Sequence, residues 1–125
     1  MSAFASFGRQ AIKEGNIDAA IGAFTEALAK EPGNARHMAE LGVAWAHKKN
    51  YGEALKWLRA SIEKKPDQID VLCVNGELSI DEMDFLGAAK VLGRCLELDP
   101  QAKHPSGLRA RALVKKGLKK LKAQS

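Results

Sequence analysis

The chain is expected to be all-α, with three helix–turn–helix units followed by one longer helix, about seven helices in all. Three observations carry this. Prolines recur at Pro32, Pro66 and Pro100, a constant interval of 34 residues that marks an internal repeat. Within each unit small and apolar residues fall at helical spacing twice, as in Met38, Leu41, Gly42 and Trp45 and again in Ala54, Leu58, Ser61 and Ile62. The last segment, "HPSGLRARALVKKGLKKLKAQS", has one apolar stripe and no second half.

Setting the units 1–34, 35–68 and 69–102 in register gives the columns Phe4, Met38, Leu72; Phe7, Leu41, Asn75; Gly8, Gly42, Gly76; and Ala11, Trp45, Ser79 for the first helix. The second helix gives Ala20, Ala54, Ala88; Phe24, Leu58, Leu92; and Ala27, Ser61, Cys95 before the proline. Between the helices stand Gly15-Asn16, Lys49-Asn50 and Met83-Asp84, where the Asn or Asp can cap the N–H groups of the following helix. A glycine in mid-helix costs about 1 kcal/mol against alanine, so its recurrence implies a close neighbour that leaves no room for a Cβ, expected to be the small Ala20, Ala54 and Ala88 column. Proline then stops the second helix and turns the chain into the next unit.

The pattern resembles the tetratricopeptide repeat, whose 34-residue helix–turn–helix unit carries W-x2-L-G-x2-Y, then A-x3-F, then P. The resemblance covers residues 2–102 and rests on eight columns. It implies a right-handed α-solenoid forming a single domain over residues 1–125. In the third unit Asn75 and Ser79 stand where an aliphatic and an aromatic residue belong, which weakens its expected core. In the tail, Ala110, Leu113, Val114, Gly117, Leu118 and Leu121 make the stripe, and residues 105–123 are read as a helix capping the end of the stack.

A chain of 125 residues can bury one core. No stretch is long and apolar enough for a signal peptide or membrane span, and two cysteines without CxxC spacing suit reduced thiols, so the cytoplasm is the expected compartment. The formal net charge of +5 is unevenly placed: residues 103–125 hold eight basic and no acidic side chains, whereas residues 69–102 hold two basic and seven acidic ones. The basic tail alone could follow lipid or nucleic-acid phosphates, but it lacks large aromatics, and a cap needs a polar outer face in any case. No phosphate-binding glycine loop, nucleophile elbow or metal-ligand spacing occurs, so neither catalysis, a cofactor, a metal nor a small-molecule substrate is expected. His37, His47 and His104 are read as solvent-facing, and Cys73 as lying on an exposed face.

By resemblance, the first helices of the units line a concave groove that holds a peptide or helix of a partner protein. The matching side chains are Arg9, Ile12 and Lys13; Arg36, Ala39, Val43 and His47; and Asp70, Cys73, Glu77, Ile80 and Asp81. That row is basic early and acidic late. One subgroup of the family clamps the carboxylate end of chaperone tails with lysine, asparagine and arginine, and the corresponding places here hold Ala5, Arg9, Glu40, Asp70 and Val74. The clamp is absent, and Glu40 and Asp70 would repel an acidic tail. The expected function is therefore a non-catalytic adaptor or scaffold with an unspecified protein ligand. The alternative is self-assembly through the groove or the terminal faces.

Overall fold

The computed structural model describes residues 2–124. Among them are seven α-helices and no strand: α1 (Ala3–Lys13), α2 (Ile17–Lys30), α3 (Ala35–His47), α4 (Tyr51–Lys64), α5 (Ile69–Asp81), α6 (Phe85–Leu98) and α7 (Pro105–Ala123). The chain divides between Pro66 and Asp67 into two compact units, the first holding α1 to α4 and the second α5 to α7.

The three turns inside the helical pairs share one construction. Asn16, Asn50 and Asp84 each accept a bond from the backbone N–H three residues on, at 3.3, 3.2 and 2.9 Å. Their own N–H groups reach back to the carbonyls of Ala11, Trp45 and Ser79, closing the C-terminus of the preceding helix. That closure needs a left-handed residue just before the cap, and Gly15, Lys49 and Met83 take φ of 80°, 67° and 63°. Only the first is a glycine. Lys49 is exposed, so Lys49→Gly is expected to relieve the strain without loss of packing and, after the added freedom of the unfolded chain, to raise stability by about 0.5–1 kcal/mol. A higher urea midpoint at unchanged slope checks this; an unchanged or lower midpoint contradicts it.

In the first unit, Phe24 of α2 is fully buried among Ala5, Ala11, Met38 and Leu41. The recurring glycine meets a larger side chain than expected. A Cβ on Gly8 would lie 2.7 Å from the Phe24 ring, and one on Gly42 would lie 2.9 Å from Leu58 Cγ and 3.0 Å from the Ala54 carbonyl oxygen. In the second unit Gly76 faces Leu92 in the same way. The glycine column thus opposes Phe24, Leu58 and Leu92, with the alanine column buried beside it. Ser61 Oγ donates to the Ala35 carbonyl at 2.7 Å, and its counterpart Cys95 Sγ lies 3.7 Å from the Ile69 carbonyl, so this small column also ties α4 and α6 to the starts of α3 and α5.

In the second unit α7 packs on both α5 and α6, burying Ala110 and Leu113 completely. Asp99 fixes the junction: its carboxylate accepts the N–H groups of Lys103 and His104 at 3.0 and 2.9 Å, and it lies where a Cβ on Gly107 would have to sit. Desolvation opposes the charge of Asp99, but these bonds, with His104 and Arg111 nearby, hold its carboxyl below the usual range. One expectation is corrected here. Leu118 and Leu121 do not cover the unit: they are 59% and 45% exposed, and Val114 is half-buried. Leu118 and Leu121 border an open groove whose other wall is Phe85, Ala88 and Ala89 of α6, so this end of the stripe faces α6 without closing on it. Asn75 and Ser79 are buried, with Ser79 Oγ donating to Asn75 Oδ1 at 3.2 Å, while Asn75 Nδ2 finds no partner among the described residues. Such a group costs about 1–3 kcal/mol, the physical content of the weak third core.

Candidate ligand-binding cleft

Five of the expected groove residues come together in the first unit. Arg9, Ile12 and Lys13 from α1 and Arg36 and Val43 from α3 line a cleft of about 280 Å³, with Phe24 at its base and Glu40 on its wall. The α1 periodicity places Arg9, Ile12 and Lys13 on one side of the helix, and the turn at Asn34, whose Oδ1 accepts the His37 N–H at 3.0 Å, starts α3 so that Arg36, Glu40 and Val43 share another. Arg9 Nη1 donates to Glu40 Oε2 at 2.7 Å. Three cations and one carboxylate therefore border an apolar floor.

Among the described residues Glu40 is held by Arg9 alone. Its other oxygen lies 4.0 Å from His37 Nδ1, too far for a hydrogen bond, and neither atom has a hydrogen-bond partner among those residues, while His37 Nε2 meets Glu31 Oε1 at 3.1 Å. His37 is buried, which corrects the expectation that it faces solvent; His47 and His104 are exposed. The bond from His37, with a second from Asn34, holds the Glu31 carboxyl below its usual range. This row of polar groups, of which only His37 is buried, was not legible from sequence, because His37 and Glu31 belong to no recurring column. Glu40 was visible only as a clamp position, and Phe24 only as core.

The remaining expected residues are placed differently. Ala39, Cys73 and Ile80 are buried, so they support their helices and present almost no surface to a ligand. Small or apolar side chains one helical face from the core were taken as groove-lining, yet close helix packing covers them. Burial, with Cys95 and Glu77 nearby, pushes the Cys73 thiol up to about 11, so it has no thiolate character near neutral pH. His47 ends α3 outside the cleft. In the second unit Glu77 accepts a bond from Arg109 at 2.6 Å and Asp81 lies 3.9 Å from Lys116, so α7 engages the acidic side of α5; Asp70 is exposed at the start of α5.

Among the described residues no group of His, Cys, Asp and Glu could hold a metal ion, and no helix is long and apolar enough to cross a membrane. The family model for the tetratricopeptide repeat matches residues 6–69. The chain belongs to the tetratricopeptide repeat family. No curated protein matches it. Among solved structures it is similar to the first TPR of Spaghetti (RPAP3) bound to the HSP90 peptide SRMEEVD, with a TM-score of 0.85 at 19% identity over 94% of this chain and 90% of that one. It is equally similar to the TPR2B domain of yeast Sti1 in a complex with pHsp70, with a TM-score of 0.85 at 20% identity over 94% of each chain. The Sgt2 TPR domain from Aspergillus fumigatus matches with a TM-score of 0.85 at 17% identity, over 95% of this chain and 77% of that one. At such identities the likeness is one of fold.

Proposed function

We propose that the chain is a non-catalytic adaptor of the cytoplasm that holds an extended or helical segment of a partner protein in the cleft between α1 and α3. The observation that carries this reading is the combination of an apolar floor, Ile12, Phe24 and Val43, with Arg9, Lys13 and Arg36 at its border. A preformed cleft lowers the ordering cost of a ligand, the floor supplies burial, and the cations select an acidic or mixed-charge sequence and its direction. Structural neighbours that hold HSP90 and HSP70 segments lend general support to peptide binding. The chaperone tail itself is a poor fit: Ala5 is buried, Arg9 is already paired with Glu40, and Val74 offers no donor.

A displayed library of random linear peptides, selected on the full chain, tests the reading. Selected peptides are expected to combine Asp or Glu with large apolar residues and to lose about tenfold or more in affinity when Arg9, Lys13 and Arg36 are all changed to Glu, equivalent to about 1.4 kcal/mol. The circular dichroism spectrum should not change, since Arg9, Lys13 and Arg36 are exposed. The peptide SRMEEVD is expected not to bind. Failure to select any peptide, or selected peptides indifferent to the triple change, would overturn the proposal.

A further inference from the structure

Two of the exposed apolar surfaces outside the cleft are complementary. On α1, Phe7 is 61% and Phe4 38% exposed; with Ala3, Ala19, Gly22 and Ala23 they border a shallow apolar hollow whose rim carries Glu26. A Cβ on Gly22 would meet nothing within 4 Å, so this side of α2 is open. Glu14 is also exposed near the α1–α2 turn, whereas the exposed Asp18 is paired with Lys48. The second surface is an apolar groove of about 150 Å³ between α6 and the C-terminal half of α7, lined by Phe85, Ala89, Val114, Leu118 and Leu121 among others. Exposed Lys115, Lys119 and Lys122 surround that end, and α7 carries no acidic residue.

We propose that the chain associates with a second copy of itself head to tail, Phe4 and Phe7 of one copy seating in the α6–α7 groove of another. Two exposed rings match a groove whose walls are aliphatic and aromatic, and burial of aromatic side chains dominates the energetics of such contacts. Glu14 and Glu26 then approach Lys115, Lys119 and Lys122, which fixes orientation and makes the contact sensitive to salt. A lipid surface would meet the lysines but offers no side chain to enter a concave groove, and nucleic-acid phosphates gain nothing from its apolar walls. Because the two surfaces differ, the contact is heterologous: a chain of copies keeps one unused surface of each kind, one at either end. None of the residues bordering the α1–α3 cleft takes part, so this inference stands or falls separately from peptide binding.

Light scattering and sedimentation of the full chain from micromolar to millimolar concentration test it. The mean mass should rise with concentration and fall as salt is added. Phe7→Asp and Leu118→Glu change exposed positions, so both variants should fold, and each alone should be monomeric, because no copy then carries the surface that matches the one left intact. Having one intact surface each, they should form a two-chain species when mixed in equimolar amounts, and nothing larger; the double variant should remain monomeric, as should a Phe7→Asp, Leu121→Glu pair in one chain. A monomeric wild type at every concentration would overturn the proposal, including one that binds anionic vesicles or nucleic acid instead. So would a double variant that still associates, or an equimolar mixture that stays monomeric.

Discussion

Ending the chain at Lys103 is expected to lower the melting temperature of the second unit by many degrees or to drive the protein into aggregates. Residues 104–125 contain α7, and its removal uncovers what Leu113 and Ala110 bury on α5 and α6, including the fully buried Ile80 and Leu92. Large aliphatic side chains are worth about 1.5–3 kcal/mol each when taken fully out of water. A loss of that size at two or three positions is comparable with the whole stability of a small unit, about 5–15 kcal/mol. The junction adds to it, since Asp99 would lose the His104 N–H, and the Asn75 amide would still lack a partner. Changing Lys115, Lys116, Lys119 and Lys120 to Gln separates cover from charge: all are surface side chains, and their replacement is expected to move stability by less than about 1 kcal/mol. Calorimetry decides the matter. A truncated chain that melts as the full chain does would show that α7 is not a structural cover.

Gly42→Leu is expected to destabilise the first unit by about 1–3 kcal/mol or more, although leucine is the better helix former. The first added carbon would already lie 2.9 Å from Leu58 Cγ and 3.0 Å from the Ala54 carbonyl oxygen, and the latter belongs to backbone that cannot turn aside. Leu58 and Ala54 are fully buried, so α3 and α4 would have to separate. Gly93 makes the contrast, because a Cβ there meets nothing within 4 Å; Gly93→Ala should raise stability by about 0.5–1 kcal/mol. Urea unfolding of both variants checks the pair. A Gly42→Leu midpoint at or above that of the wild type would contradict close packing at this column.

These two results also indicate what the sequence made legible. Periodicity located every helix, because Pro32, Pro66 and Pro100 stop the second helices and Asn16, Asn50 and Asp84 start them through bonds that act within one turn. Residues 105–123, read as a helix from one apolar stripe, are α7. Contacts set by distances between helices were less legible. The glycine column could be seen to need space, but Phe24, Leu58 and Leu92 as its opposing residues depend on how the paired helices cross. Ile80, Ala39 and Cys73 looked available because a helical wheel shows direction and not how near the next helix stands. The same limit hid the exposure of Leu118 and Leu121, which face α6 across an open groove instead of closing on it. In the cleft, the side chains with simple spacing, Arg9, Ile12 and Lys13, were found, whereas the row of Arg9, Glu40, His37 and Glu31 crosses unrelated columns through the turn after α2.

The most direct test of peptide binding between α1 and α3 is the amide spectrum of the isotope-labelled full chain during titration with the tightest library-selected peptide. Shifts and line broadening are expected at Arg9, Ile12, Lys13, Arg36, Glu40 and Val43, with the exposed side of α2 and the end of α7 little affected. A saturable response that instead centres on Phe4 and Phe7, or on Leu118 and Leu121, and leaves the cleft unchanged would contradict the account.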